Sequence, residues 1–112
     1  MRQYTTPEQT AKLIELGFAP PQIYVRYSPD GGCWADYTLG ELIEMLPTKI
    51  MRDGDPCLLC ANISYRLIDW RVFYVNLSNG EIIHSFLEGE LIDALYEMCI
   101  MLKENGWYEN IH

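Results

Sequence analysis

The sequence predicts an α+β domain. It consists of a small antiparallel β-sheet of about three to four strands, covered on one face by two amphipathic helices, with a third helix near the N-terminus. Three observations carry this prediction. One phrase is written twice: Gly40-Glu41-Leu42-Ile43-Glu44-Met45-Leu46 returns as Gly89-Glu90-Leu91-Ile92-Asp93-Ala94-Leu95. Each copy sets adjacent aliphatics beside a carboxylate, with another aliphatic three or four residues on, which makes one apolar stripe on a helix. Trp70 to Val75 alternates around aromatic and β-branched residues, the pattern of a strand. Gly, Pro and Asn-Gly punctuation separates the two kinds of segment.

The elements follow in order. Thr6-Pro7-Glu8-Gln9 is a helix start, with Thr6 as cap, Pro7 at the first helical position and Gln9 to close a capping box. Leu13, Ile14 and Leu16 supply apolar contacts, and Gly17 offers a left-handed stop, so the first helix is expected over 7–16. After Pro20-Pro21, a strand is expected over 23–27. A turn at Pro29-Asp30-Gly31-Gly32 and a short strand over 33–37 complete a hairpin. Thr38-Leu39-Gly40-Glu41 is a second capping box. Leu39, Leu42, Ile43 and Leu46 follow at helical spacing until Pro47, which places the second helix over 39–46.

Asp53-Gly54-Asp55-Pro56 reads as a turn, and Cys57 to Tyr65 as a β-rich run. In 70–75, Trp70, Val72 and Tyr74 share one face and Arg71, Phe73 and Val75 the other. Neither face is polar throughout, so this strand is expected in the middle of the sheet. Ser78-Asn79-Gly80 turns the chain into a strand near Glu81–Ser85, which extends a meander. The last helix is expected over 88–104, with Leu91, Ile92, Leu95, Met98, Cys99 and Leu102 in one arc and Gly106 behind it. The doubled phrase has an offset of 49 residues, but its flanks do not match. Two independent helix starts explain it better than a duplication.

The 112 residues fit one domain, large enough to bury a core without a covalent staple. The formal net charge is −8, and seven acids against Lys103 between Glu81 and Glu109 supply −6 of it. Such a surface repels phosphate, so direct nucleic-acid binding is not expected. No secretory leader and no apolar run of about 20 residues is legible, so neither a membrane span nor export is expected. Four cysteines without an export signal read as reduced thiols, and the expected location is cytoplasmic.

Motifs that carry chemistry are sparse. Cys57-Leu58-Leu59-Cys60 has redox spacing, but it lies in a strand, where residues three apart face opposite ways. Cys33, His84, Cys99 and His112 are scattered and show no zinc spacing. Asp53-Gly54-Asp55 lacks the remaining ligands of a calcium loop. No nucleophile elbow, phosphate-cradling glycine loop or zinc-binding helix motif occurs. The sequence therefore leans away from an enzyme and names no catalytic residue, cofactor or metal. Tyr96 and Ile100 lie one turn apart, off the apolar stripe of the last helix. With Trp107 and Trp34, they are the candidate interface for a protein partner or for self-association as a homodimer.

The chain resembles a group of small uncharacterised proteins of gut-bacterial genomes and their prophages. The resemblance lies in Thr5 to Phe18, in Tyr37 to Pro47, in Trp70-x-Val72-x-Tyr74, and in Glu90 to Met98 with Leu102 to Gly106. It implies a mobile-element setting and brings no activity, ligand or catalytic residue. Three functions stay open. The first is a non-enzymatic protein-binding or accessory module of phage or mobile-element origin. The others are a small cysteine-based metal-binding or redox protein, and an acidic mimic of nucleic acid.

Overall fold

The structure, a computed structural model, describes residues 2–27, 29–63 and 69–110. Among these residues it is α+β, with three α-helices and two antiparallel sheets of two and four strands. Helix α1 spans Pro7–Glu15, α2 Leu39–Met45 and α3 Leu91–Glu104. Strands β1 (Tyr24–Tyr27) and β2 (Cys33–Asp36) form a hairpin of their own. Strands β3 (Lys49–Arg52), β4 (Asp55–Ile63), β5 (Trp70–Asn76) and β6 (Ile82–Glu88) form a meander in chain order. A short 3-10 helix, Trp107–Asn110, follows α3.

Both expected capping boxes are present. In α1 the Thr6 hydroxyl accepts from the Gln9 N–H and the Gln9 amide oxygen accepts from the Thr6 N–H. In α2, Thr38 and Glu41 make the same exchange. Each exchange satisfies donors that a helix start leaves unpaired. Strand β5 is central, as its two apolar faces require, with β4 on one side and β6 on the other.

Several boundaries differ from expectation. The last helix begins at Leu91, three residues later than expected, because β6 runs on to Glu88, which pairs with Trp70. Strand β3 was not expected. Its partner is β4, and Asp53-Gly54 joins them as a two-residue loop with both residues at positive φ (52° and 86°). That is the mirror-image turn that matches strand twist. The β-rich run ends at Ile63, and Tyr65 lies outside the described residues.

The core gathers α3, the inner faces of β3 to β6, and one side each of α1 and α2. Leu13, Leu42, Leu46, Ile50, Val72, Tyr74, Ile92, Leu95, Met98 and Leu102 are all buried there. Helix α3 packs on β5 and β6, α2 packs on α3, and α1 touches α3 and β2. Two apolar expectations fail: Ile43 is 49% exposed, while its neighbour Leu42 is fully buried, and Ile14 is 43% exposed beside the buried Leu13.

An N-terminal arm ties the helices together. Thr5 and Leu39 exchange backbone bonds with Tyr37 and Gln3. The Arg2 guanidinium pairs with Asp93 and donates to Gln9 Oε1 at 3.0 Å, and Gln9 Nε2 donates to Asp93 at 2.8 Å. Gln9, which closes the α1 capping box, thus reaches the first turn of α3, where carboxylates are favoured by the helix dipole.

Candidate functional site

An open groove of about 550 Å³ lies between α1 and the β1–β2 hairpin. Its α1 wall is Pro7, Thr10, Ala11 and Ile14, and its other wall is Pro20, Pro21, Ala35 and Asp36. The spacing explains the first wall. Residues 7, 11 and 14 recur at helical period and form a stripe beside the one that sends Leu13 inward. Pro20 and Pro21 cannot join a strand ladder on their N side, so they line the connection as rigid apolar surface.

A buried chain of hydroxyls fixes the two walls to each other. The Tyr37 N–H donates to Thr5 Oγ1 at 2.9 Å, Thr5 Oγ1 lies 2.7 Å from Thr10 Oγ1, and Thr10 Oγ1 donates to Asp36 Oδ1 at 2.6 Å. Each hydroxyl has one proton. Since Thr10 gives its proton to Asp36, Thr5 must give its own to Thr10. Thr5, Thr10 and Asp36 are all buried, so this chain holds α1 against β2 rather than facing a ligand.

Apolar surface continues from the groove onto the hairpin. Ile14 is 43% exposed, and Val25 and Tyr27 share one face of β1, with Ile23 just ahead of the strand; Ile23 and Tyr27 are above 70% exposed. Val25 pairs with Ala35, so this face meets the groove at Ala35, whereas Asp36 pairs with Tyr24 on the opposite face. Tyr24, on the other face, stacks on Tyr4 with centroids 3.7 Å apart. Sequence reading did not single out the groove residues. The available signal was Ile14 falling off the Leu13 stripe just before a double proline.

The sequence-predicted interface residues stand on α3, the 3-10 helix and β2. Tyr96 and Ile100 are half-buried on α3 and pack against the core cluster. Trp107 is half-buried in the 3-10 helix with its ring edge-on to His84, centroids 4.7 Å apart. Trp34 sits on β2, and its side chain lies outside the described residues.

The thiols and phenols lie mostly inside. Cys57 is buried opposite Ile50 and Asn76, whereas Cys60 faces the other way opposite Phe73. Cys99 is buried in α3, and loss of solvation pushes its thiol up to about 12, so it stays protonated. Burial likewise pushes Tyr37 up to about 12 and raises Tyr74 and Tyr108. The Tyr37 and Tyr74 phenols donate to the Ala19 and Pro47 carbonyls at 2.5 and 2.7 Å. His84 is held down by burial and, secondarily, by Arg52. Its φ of 48° marks a bulge in which His84 and Ser85 oppose Phe73.

Among the described residues no three His, Cys, Asp or Glu side chains gather as a metal site requires; His112 lies outside them. No described helix is long and apolar enough to cross a membrane. The acidic face of α3 is partly neutralised, since Asp93 pairs with Arg2 and Glu104 with Lys12. No protein-family model, no curated protein and no solved structure matches this chain.

Proposed function

We propose that this chain is a non-enzymatic protein-binding module, of phage or mobile-element origin, whose groove between α1 and the β1–β2 hairpin receives an apolar segment of a protein partner. The observation that carries the reading is the continuity of that groove with the exposed row Ile23, Val25 and Tyr27. Exposed apolar surface of this extent is a usual mark of a protein contact. Basic residues are expected to flank the partner's apolar segment, because α1 offers Glu8 and Glu15 to solvent and the chain carries −8 overall. The reading also takes α2 and α3 as jointly covering one face of the four-stranded sheet. Its support is that Ile43 of α2 borders the same apolar cavity, about 200 Å³, as Leu59, Val72 and Leu95.

A displayed peptide library tests this. Panning against the wild type is expected to enrich apolar peptides with basic flanks. Ala11→Trp, which fills the groove from its exposed wall, is expected to lose them while keeping the wild-type circular dichroism spectrum. Equal enrichment on wild type and Ala11→Trp, or none on either, overturns the reading.

A further inference from the structure

The four-stranded sheet has a second face. Val72, Tyr74 and Asn76 of β5 are buried toward α3, so Arg71, Phe73 and Val75 point the opposite way. Register extends this across the sheet. Val75 is level with Leu58 on β4 and Ile82 on β6, and Leu58 is level with Lys49 on β3. Leu58 and Ile82 are 38% and 42% exposed. Phe73, only 9% exposed, lies level with Cys60 at the centre, with the Arg71 guanidinium 5.2 Å from its ring centroid and Arg71 Nε donating to Ser85 Oγ at 2.8 Å, so the apolar contact is offered mainly by the residues around it. In a chain with 16 acids and 8 bases, the positions of these four strands that share this face carry Lys49 and Arg71 and no carboxylate.

From this we infer that the outer sheet face is the contact between two copies of this chain, which pack sheet on sheet about a twofold axis parallel to the strands. Such an axis lays β4 over β5 and β3 over β6. Leu58 of one copy then meets Val75 of the other, and Cys60 meets Phe73. Lys49 meets the Ile82 end of β6, where Glu81 stands, and Arg71 meets Asn62. At the centre Leu58 falls on Val75 and Cys60 on Phe73, and at the margins neither base falls on a base, so the face is compatible with its own copy. A molecule at −8 repels its own kind elsewhere, and this face brings no carboxylates together. The size also suits a pair. Strands about 4.8 Å apart, rising about 3.4 Å per residue, present a plane of roughly 450 Å² here. With side-chain relief on both copies, burial reaches about 1,000–1,300 Å², near the lower bound of stable interfaces.

The test is mass in solution with a pair of complementary variants. Wild type at about 100 µM is expected at twice its 13.0 kDa mass by light scattering. Leu58→Lys and Val75→Glu, each alone, are expected to weaken the pair about tenfold or more with an unchanged circular dichroism spectrum. Mixing the two variants is expected to restore a dimer, because Lys at 58 of one copy then faces Glu at 75 of the other. Ala11→Trp, in the groove, is expected to stay dimeric, which separates this contact from the binding site proposed above. A wild type that remains at 13.0 kDa overturns the inference and leaves the face to a different protein. A dimer indifferent to both variants overturns it as well.

Discussion

Helices α2 and α3 begin with nearly the same seven residues and use them differently. In α2 the helix starts at Leu39, one residue ahead of the phrase, and Thr38 caps it through the Glu41 N–H. In α3 the helix starts two residues inside the phrase, and Glu90 stands at the cap position without a side-chain cap bond. The buried face shifts with the start. Leu42 is buried and Ile43 exposed in the first copy, whereas in the second Leu91 is half-buried and Ile92 wholly buried. The aromatic three residues ahead keeps its role in both, since Tyr37 and Phe86 pack with the core. A shared phrase therefore specifies that a helix docks. Its neighbours, a capping threonine in one case and a strand running to Glu88 in the other, decide which aliphatic goes inside.

The largest effect expected from this contrast is at the second aliphatic. Ile92→Ala should cost about 2–5 kcal/mol by denaturant melts, and Ile43→Ala at the equivalent position under about 1 kcal/mol. Equal losses would mean that the two helices dock in the same phase. Leu42→Ala should match Ile92→Ala, for the same reason of complete burial.

Next in size is the start of each helix. Thr38→Ala should destabilise by about 1 kcal/mol, because the Glu41 N–H loses its acceptor at 3.1 Å. Glu90→Ala makes no such loss at the cap, though it removes an acceptor from the Arg2 N–H at 2.8 Å, so a cost of about 0.5 kcal/mol is expected. Thermal melts of the two variants side by side decide the order.

The smallest effect is electrostatic and centres on Glu97 of α3. Burial, then Glu88 and Asp93, hold the Glu97 carboxyl above its ordinary value. A raised acid binds its proton more tightly in the folded state, so Glu97 costs stability once the pH exceeds its folded value. That cost disappears as the pH falls below the ordinary 4.5. Glu97→Gln should therefore stabilise by about 0.2–0.5 kcal/mol at pH 7 and by nothing at pH 4. A gain of equal size at both pH values would rule out the carboxylate as its source.

Much of the frame was legible because it rests on local chemistry. The Thr6 and Thr38 boxes, the double-faced strand at 70–75 and the opposed Cys57 and Cys60 each follow from neighbours a few residues apart. Strand β3 was not legible. Four residues with a base at each end give no period, and Ile50 is buried only because β4 brings Cys57 beside it. The phase of the doubled phrase was misread at Ile43 for the same reason, since burial there depends on where α3 and β4 lie. The groove was least legible of all. Its walls come from residues 7–14, 20–21 and 35–36, and the Thr5–Thr10–Asp36 bonds that align them span up to 26 positions.

The bulge at His84 has a consequence for assembly. Strand β6 is a border of the meander, and a regular border invites further chains to add themselves without end. Two residues of β6 set against one of β5 break the ladder's rhythm there. At the opposite border β3 is only four residues long and ends in Lys49 and Arg52. Both rims are thus poor templates for fibril growth, and any association through the sheet is steered away from open-ended polymers toward a finite particle.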